Sequence, residues 1–342
     1  MSEEREQKAH FELLSTNSRD VLFEEETERL VARKEGKRRI EFNSFRSAKK
    51  FACNEEVITR AHSRPTTHRD TYYTWAGFFG NQKLTDSAVE DVAACLCVPR
   101  NSLNIYASRK GRVCGDVSFT DDGRLIDCSS FHKEGQTIPP NIEHIRDLKT
   151  NARYVLLIEK DATFIKMVSE GVHETCGCIL VTGKGFPDVS TRLFLKRMEQ
   201  MNLPIFGIMD FDPSGIQIMT VYSGGSRKMS YDSHLAVPSV RWLGIRSNDL
   251  TEHDVPKSAL ISITKHDKRM LENMLEWDIL KNKPSWRYNI RITFGLRISY
   301  RNEVVWMLEN GVKAEIQSLA SISVSYLSQV WLPSKMKKMD WI

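Results

Sequence analysis

The side chains best suited to chemistry lie in residues 203–215, which read Leu-Pro-Ile-Phe-Gly-Ile-Met-Asp-Phe-Asp-Pro-Ser-Gly. Residues 205–209 are an apolar run typical of a buried strand, and strand alternation then puts Asp210 and Asp212 on the same side. Two ionised carboxylates repel each other unless a cation lies between them, and carboxylate oxygens without thiol or imidazole partners suit magnesium. The alternative interpretation is an acidic turn that caps the following helix.

A second candidate is the aromatic stretch of residues 68–79, His-Arg-Asp-Thr-Tyr-Tyr-Thr-Trp-Ala-Gly-Phe-Phe. If this stretch is helical, Tyr72 belongs to an apolar face, and Tyr73 points away from that face. Arg69 precedes Tyr73 by four positions and therefore lies on the same side of the helix. A guanidinium there could favour a phenolate or a phosphate brought to it. The alternative is two aromatic helix residues, one of them half exposed.

The carboxylates need a scaffold, and residues 139–342 show the required alternation of strand and helix patterns. Strands are predicted at residues 155–158, 178–182 and 205–209, with helices at 162–170 and 189–201 between them. This order predicts a mainly parallel sheet with right-handed crossovers, whose ligands gather at the carboxyl ends of the strands. Glu159 ends the first strand and becomes the third carboxylate of the site. The middle strand ends at a glycine turn around Lys184, which could contact a backbone phosphate.

Residues 63–138 are predicted to form a winged-helix, CAP-like domain. A helix at 86–98, a second helix at about 103–109, and strands at 112–119 and 124–128 joined by an Asp-Gly turn follow one another. A winged helix can bind DNA or protein. The candidate DNA contacts around the second helix are small polar or basic side chains, namely Arg100, Asn101, Arg109 and Lys110.

The fold class is therefore α/β plus α+β, with the winged-helix domain followed by the α/β domain of residues 139–342. Residues 1–62 form a charged extension in which residues 21–40 could be helical, and its role stays open. The 342 residues are 41% hydrophobic, with no apolar run of membrane-spanning length and a first segment too charged for a secretory signal. The net charge of +5 permits a nucleic-acid partner without requiring one. The seven cysteines lack metal or redox spacing, which indicates reduced thiols.

Several motifs of this chain together resemble a known family. Glu159, the Lys184 turn and Asp210-Phe-Asp212-Pro resemble a Toprim domain, the metal-binding fold of topoisomerases, primases and some nucleases. The whole order of motifs resembles the A subunit of topoisomerase VI and, more closely, its meiotic relatives of the sporulation-eleven type. The motifs are Arg69-Asp-Thr-Tyr-Tyr73, Lys110-Gly111, Glu159-Lys-Asp-Ala, Gly183-Lys-Gly-Phe-Pro-Asp188, Asp210-Phe-Asp-Pro-Ser-Gly215, Val237-Pro-Ser-Val-Arg-Trp242 and Lys313-Ala-Glu-Ile-Gln317. The match runs from about residue 68 to the C-terminus.

The resemblance implies an enzyme that makes the DNA double-strand breaks of meiotic recombination. Tyr73 would be the nucleophile and Arg69 its partner, while Glu159, Asp210 and Asp212 would hold one or two Mg²⁺ ions, for which Mn²⁺ can substitute. The Tyr73 oxygen would attack a phosphodiester, release a 3′-hydroxyl and stay joined to the 5′ end. Bond energy is conserved in the phosphotyrosine, so the cut needs no ATP, and the chain lacks a G-x-x-x-x-G-K-[ST] phosphate loop.

The same resemblance implies the partners. A break through both strands of double-stranded DNA needs two tyrosines, so we expect a homodimer when active. Each tyrosine would meet the metal site of the other protomer. The family also implies a B-type ATPase-like subunit, further meiotic accessory proteins and action in the nucleus.

Two other functions fit part of the sequence. Haloacid-dehalogenase-type phosphatases also place D-x-D after an apolar strand, although they usually continue with Thr or Val where this chain has Pro213. They have no need of Glu159 or Tyr73. The non-enzymatic alternative is a winged-helix DNA-binding or scaffold protein whose Toprim domain is inactive.

Overall fold

The fold divides into two compact units. The computed structural model describes residues 10–15, 20–33, 36–41, 52–58, 66–74, 76–96, 98, 100–106, 110–129, 134–226, 229, 234–277, 279–280 and 300–342. The first unit comprises Met1–Leu22, Leu30–Ser108 and Ser226–His234, and the second comprises Phe23–Arg29, Arg109–Gly225 and Leu235–Ile342. None of the helices among the described residues has the length and apolar character needed to cross a membrane.

Strands predominate in the first half of the described chain, and strands and helices alternate from about residue 155 onward. The strands are β1 (His10–Leu14), β2 (Val21–Glu24), β3 (Arg29–Ala32), β4 (Lys37–Glu41), β5 (Thr66–Thr67), β6 (Ile105–Tyr106), β7 (Arg112–Cys114), β8 (Val117–Asp121), β9 (Arg124–Asp127), β10 (Gln136–Thr137), β11 (Arg146–Thr150), β12 (Val155–Ile158), β13 (Ile179–Thr182), β14 (Ile205–Ile208), β15 (Arg241–Gly244), β16 (Ile261–Ser262) and β17 (Val312–Lys313). The helices are α1 (residues 52–58), α2 (His68–Thr74), α3 (Ala76–Phe79), α4 (Gln82–Leu96), α5 (Asp161–Ser169), α6 (Val172–Cys176), α7 (Val189–Gln200), α8 (Pro213–Ser223), α9 (Ser247–Glu252), α10 (Lys265–Met274), α11 (Tyr300–Asn310) and α12 (Leu332–Lys338).

The second unit is built on a six-stranded sheet of order β10-β7-β13-β12-β14-β15. The neighbours β13, β12, β14 and β15 run parallel, and β7 and β10 are antiparallel to their neighbours. Every residue of β12, β13 and β14 is buried, as expected of parallel strands that are covered on both faces. The predicted mainly parallel sheet is therefore confirmed, and so are the three predicted strands to within one residue.

The predicted hairpin is confirmed, but its first strand is split. Strand β8 pairs with β9 through a two-residue turn, and both turn residues, Asp122 and Gly123, have positive φ angles of 48° and 76°. The chain bends at Gly115, whose φ of 130° suits glycine and where a Cβ would lie only 2.6 Å from the carbonyl oxygen of Cys178. Strand β7 before this bend joins the central sheet. The main part of the second compact unit, which follows its short segment Phe23–Arg29, therefore starts at Arg109 and includes β7.

The first unit has a small core of its own. Residues of α1 and α4 bury a shared apolar cluster that includes Val57, Val89 and Val92, and Tyr72 of α2 packs against it. The predicted helix at 86–98 is confirmed as α4, which starts four residues earlier.

The prediction of a second helix at residues 103–109 is wrong for residues 103–106, which are the ones the structure describes. Arg100–Leu103 form a single 3₁₀ turn, and β6 follows and pairs in parallel with β5. Asn104 between them has a φ of 54°, a left-handed conformation that ends a helix. The winged-helix arrangement is therefore not confirmed.

The helix considered for residues 21–40 is also wrong. Strands β2, β3 and β4 lie there, and the side chains of β2 alternate between buried and exposed. Val21 and Phe23 are buried while Leu22 is exposed, which is the period of two that a strand shows. The many charged residues of this segment made the short alternation of apolar and polar side chains hard to recognise in the sequence.

The last residues of the chain return to the central sheet. The backbones of Trp242 in β15 and Ile342 exchange two hydrogen bonds, of 2.6 and 3.0 Å. Phe211 and Ala314 likewise exchange backbone hydrogen bonds of 2.8 and 3.0 Å. The second pairing brings residues 314–317 beside the carboxyl end of β14.

Candidate active site

Glu159 and Asp210 meet at the carboxyl edge of the central sheet. In the register of β12 and β14, Ile158 lies opposite Ile208, so the residues that follow these strands come together. The backbone N–H of Asp210 donates a hydrogen bond of 2.9 Å to Oε2 of Glu159. The two residues are only 8% and 4% exposed, so two carboxylates are buried side by side.

Asp212 caps helix α8. Its Oδ1 accepts a hydrogen bond of 2.6 Å from the N–H of Gly215, and Pro213 occupies the first turn, where no N–H is needed. A Cβ at Gly215 would lie 2.2 Å from the carbonyl oxygen of Asp210, so only glycine fits this close approach. The interpretation as an acidic helix cap therefore holds for Asp212, and Asp210 has different partners.

Both carboxylate oxygens of Asp210 are engaged by protein donors. Oδ1 accepts a hydrogen bond of 2.8 Å from the N–H of Ile316, and Oδ2 lies 2.8 Å from Nζ of Lys160. The same ammonium is 3.1 Å from the carboxylate of Glu315 and donates to Oε1 of Gln317 at 2.8 Å. Lys160 thus joins the strand edge to residues 315–317.

Sequence reasoning missed Lys160 and Glu315 as members of the site. A signal was present, because both lie in motifs that carry the family resemblance, Glu159-Lys-Asp-Ala and Lys313-Ala-Glu-Ile-Gln317. Nothing local indicated that these two motifs meet, since more than 150 positions separate them.

The electrostatics of the edge reflect crowded negative charge. Burial, together with the nearby Asp210 and Asp212 carboxylates, raises the pKa of Glu159 to about 7. Burial also raises the pKa of Asp210, although the Lys160 ammonium opposes it. Burial alone would lower the pKa of Lys160, but its contacts with Asp210 and Glu315 raise it above the usual value. The carboxylate cluster therefore favours the binding of a positively charged group or ion.

The donor set fits a hard divalent cation, although its side chains do not converge on one point. Three carboxylates whose charges repel each other are the ligands that Mg²⁺ prefers. Among the described residues, however, no group of three or more His, Cys, Asp and Glu side chains is arranged to hold a metal ion. The hydrogen bonds above explain this, because Asp212 faces the N-terminus of α8 and Asp210 faces Lys160 and Ile316.

Two predicted DNA contacts, Lys184 and Lys110, lie close together beside this edge. Lys184 follows β13 in a turn with a φ of 55°, and its Nζ lies 3.1 Å from Oδ2 of Asp161. Nζ of Lys110 donates to the carbonyl oxygen of Phe186 at 2.8 Å. Burial lowers the pKa of Lys110, and the positive charge of Lys184 lowers it further against the opposing effect of Asp188. The two lysines are therefore near enough for their charges to interact, although Lys184 is also paired with Asp161.

The other three predicted DNA contacts cannot be placed in the same way. Arg109 lies outside the described residues. The backbones of Arg100 and Asn101 belong to the 3₁₀ turn before β6, and the positions of their side chains are outside the description.

Tyr73 is presented to solvent by α2. Its side chain is 70% exposed, whereas the neighbouring Tyr72 packs on the apolar cluster. The two rings are 5.3 Å apart and tilted by 54°. Arg69 is exposed on the same helix, one turn before Tyr73. Tyr73 and Arg69 belong to the first unit, and the three carboxylates belong to the second.

Comparison with known families gives two matches. The Toprim-domain family of the topoisomerase 6 A subunit and Spo11 matches residues 154–336, which include the three carboxylates and Lys160. The family described as "Type IIB DNA topoisomerase" matches residues 59–105, which include Arg69 and Tyr73.

Individual relatives match over most of the chain. The A subunit of DNA topoisomerase 6 from Arabidopsis thaliana is 35% identical over 97% of this chain and 76% of its own length. The meiotic recombination protein SPO11 of Mus musculus is 36% identical over 89% of this chain and 76% of its own length. The SPO11 protein of Homo sapiens is 37% identical over the same shares of the two chains.

Proposed function

We infer the function of this chain from its family, because it belongs to the family that unites Spo11 with the A subunit of topoisomerase 6. We propose that it makes DNA double-strand breaks in meiotic recombination by topoisomerase-like transesterification. The observation that carries the proposal is the buried pair of Glu159 and Asp210 at the carboxyl edge of the sheet, where burial and mutual repulsion favour a cation. Residues 63–138 would supply the nucleophile and residues 139–342 the metal site.

Tyr73 is the nucleophile of the proposed reaction. Its phenolic oxygen attacks the phosphorus of a DNA phosphodiester, the P–O3′ bond breaks, and the 3′-oxygen leaves and takes up a proton. The product is a phosphotyrosyl bond to the 5′ end of the DNA. The exposure of Tyr73 supports this role, because a phosphodiester must reach the hydroxyl.

The tyrosine hydroxyl needs activation before it can attack. A phenol with a pKa of about 10 is ionised in roughly one molecule in a thousand at pH 7, a deficit of about 4 kcal/mol. Arg69, one turn away on α2, can offset part of it by stabilising the phenolate or by orienting the phosphate.

Glu159, Asp210 and Asp212 are the proposed ligands of Mg²⁺, as one ion or two, and Mn²⁺ can substitute. A bound ion would neutralise charge on the phosphate and on the departing oxygen. For all three to bind it, the carboxylate of Asp212 has to turn from the N-terminus of α8. The carboxylate of Asp210 has to exchange one of its protein donors.

Lys110 and Lys184 are the proposed contacts to the DNA backbone beside the metal edge. Two neighbouring ammonium groups suit phosphates, and each neutralised phosphate releases counterions, so binding should weaken as salt rises. We also propose Arg100, Asn101 and Arg109 as DNA contacts, because their polar or basic side chains suit the phosphate backbone. The duplex itself is the substrate.

The assembly we propose is a homodimer when active, with composite sites in which Tyr73 of one protomer meets the carboxylates of the other. Meiotic accessory proteins and a B-type ATPase-like subunit would assist it. Its place of action is the nucleus, on meiotic chromosomes.

The covalent intermediate provides the decisive test. We expect DNA recovered after protease digestion of the active assembly to carry tyrosyl adducts on its 5′ ends. Tyr73→Phe should abolish these adducts because it removes the attacking oxygen, while Tyr72→Phe should retain them. Adducts that persist in Tyr73→Phe would refute the assignment of the nucleophile.

Absence of adducts from the wild type with all partners present would favour the alternative of a DNA-binding scaffold with an inactive Toprim domain. The phosphatase alternative is contradicted by family membership.

A further inference from the structure

Lys160 has the contacts of a resident cation within the carboxylate cluster. We propose that Lys160 is a positioning residue that occupies the cation-accepting oxygen of Asp210, holds the edge of the sheet together, and sets the affinity of the site for divalent ions by competing with them. The inference rests on the proposed function, in which Asp210 binds a metal.

The geometry distinguishes Lys160 from an ordinary surface lysine. Its Nζ contacts oxygens of three residues, at 2.8 Å from Asp210, 3.1 Å from Glu315 and 2.8 Å from Gln317. An ammonium has three N–H donors, so these three contacts use its full donor capacity. The side chain is only 24% exposed, and that of Asp210 is 6% exposed, which keeps solvent screening low on that side.

These contacts leave little room for a second cation on Asp210. Oδ1 of Asp210 accepts from the N–H of Ile316, and Oδ2 faces Lys160. A divalent ion bound to Oδ2 would lie next to the ammonium, and two like charges at such a distance repel strongly in a partly buried site. Metal binding therefore requires Lys160 to leave Asp210.

Glu315 and Gln317 give the displaced ammonium a place to remain. The Glu315 side chain is 51% exposed, so it can follow Lys160 outward without losing hydration. Its backbone segment stays attached to the sheet through the pairing of Ala314 with Phe211. The Lys313–Gln317 motif would therefore hold the Lys160 side chain when a metal ion displaces it from Asp210.

The test measures Mn²⁺ binding to the full chain by isothermal titration calorimetry. Lys160→Met removes the charge at similar side-chain length, and we expect it to lower the dissociation constant for Mn²⁺ roughly five- to tenfold, the effect of one partly screened unit charge. In EDTA the same variant should melt at a lower temperature than the wild type, because Asp210 loses its counter-ion. Lys160→Arg keeps the charge and should stay near wild type in melting temperature.

Two further variants sharpen the test. Glu315→Gln removes the second anchor of Lys160, so we expect weaker Mn²⁺ binding, and a smaller effect when Lys160→Met is already present. The matched control is Lys196→Met, because Lys196 is similarly exposed but pairs with Glu199 within α7. It should leave the dissociation constant unchanged.

The outcomes separate this inference from the proposed metal site. If wild-type protein binds Mn²⁺, Asp210→Asn abolishes binding, and Lys160→Met leaves the dissociation constant unchanged or raises it, Lys160 does not compete and the inference is overturned. If wild-type protein shows no Mn²⁺ binding that Asp210→Asn removes, the proposed metal site fails, and the inference fails with it.

Discussion

At the scale of single residues, side chains of the same type close together in the sequence have different surroundings. Tyr72 packs in the core and Tyr73 faces solvent, because successive residues of a helix point about 100° apart. Asp210 is buried against Lys160, whereas Asp212 caps α8. Residue type alone therefore does not tell how each side chain is used. The atoms that each side chain contacts distinguish the two members of each pair.

Buried charge also decides stability away from the site. Arg246 and Lys335, whose side chains are 0% and 2% exposed, both pair with Asp340 near the end of the chain. Burial alone would raise the pKa of Asp340, but these two cations hold it well below the usual value. The ionised Asp340 thus compensates two buried positive charges together with Asp249, whose carboxylate lies 2.8 Å from the Lys335 ammonium.

We predict that Asp340→Asn destabilises the protein at pH 7 by about 2–4 kcal/mol, because it leaves two cations underpaired. The folded-state pKa of Asp340 lies below the unfolded value of about 3.9, so its stabilisation is complete above that value and is lost as pH falls through the folded pKa. The deficit of the variant should therefore shrink below about pH 4. Urea unfolding followed by circular dichroism between pH 3 and 8 measures this.

The matched control is Glu252→Gln, which breaks an ion pair with Lys338 in which both side chains are about half exposed. Exposed pairs contribute little, so the loss should stay under about 1 kcal/mol. Equal losses in the two variants would contradict the role assigned to Asp340.

At the scale of elements, the turn from β14 into α8 builds half of the candidate site. Strand β14 ends at Ile208, and α8 begins at Pro213, so the two aspartates occupy a connection of only a few residues. The connection is this short because Gly215 lets the helix start against the carbonyl oxygen of Asp210. The position of the carboxylates therefore depends on a residue without a side chain.

We predict that Gly215→Ala destabilises the protein by about 1–3 kcal/mol or more, because its Cβ overlaps backbone and cannot be relieved by a side-chain rotation. It should also weaken Mn²⁺ binding, since the shift moves Asp210. Gly77→Ala is the control, because a Cβ there meets nothing within 4 Å and the residue lies in α3. If thermal unfolding shows equal stability for both variants, the close approach at Gly215 is not a constraint.

At the scale of the whole molecule, the proposed chemistry is distributed over two compact units. Tyr73 belongs to the first unit and the carboxylates to the second, so neither unit holds a complete set of reacting groups. A homodimer with composite sites would complete both sets and would give the two tyrosines that a double-strand break needs.

We predict that a mixture of Tyr73→Phe and Asp210→Asn chains nicks DNA, although neither variant does so alone. With composite sites, a mixed dimer has one site with both defects and one with none. Conversion of supercoiled plasmid to the nicked form after protease digestion, with all partners present, measures this. A mixture that gives no nicks, under conditions in which the wild type cuts, would contradict the composite arrangement.

The sequence by itself determined the local elements and the family. Apolar runs and turn residues placed β12, β13 and β14 and the Asp122-Gly123 hairpin, because buried parallel strands and two-residue turns have strong local patterns. The helical period also predicted which of two adjacent tyrosines is exposed. The same local logic failed for residues 103–109, where the left-handed Asn104 and the pairing of β6 with β5 replace the expected helix.

Only the tertiary structure decided which distant segments meet. It joined β7 to the central sheet and set Ala314 against Phe211, which brought Glu315 to Lys160 and Asp210. Local periodicity specifies which face of an element is buried, but it does not specify the partner of that face. The ammonium that neutralises Asp210 was therefore visible in the sequence as a residue, and its role followed from contacts across more than 150 positions.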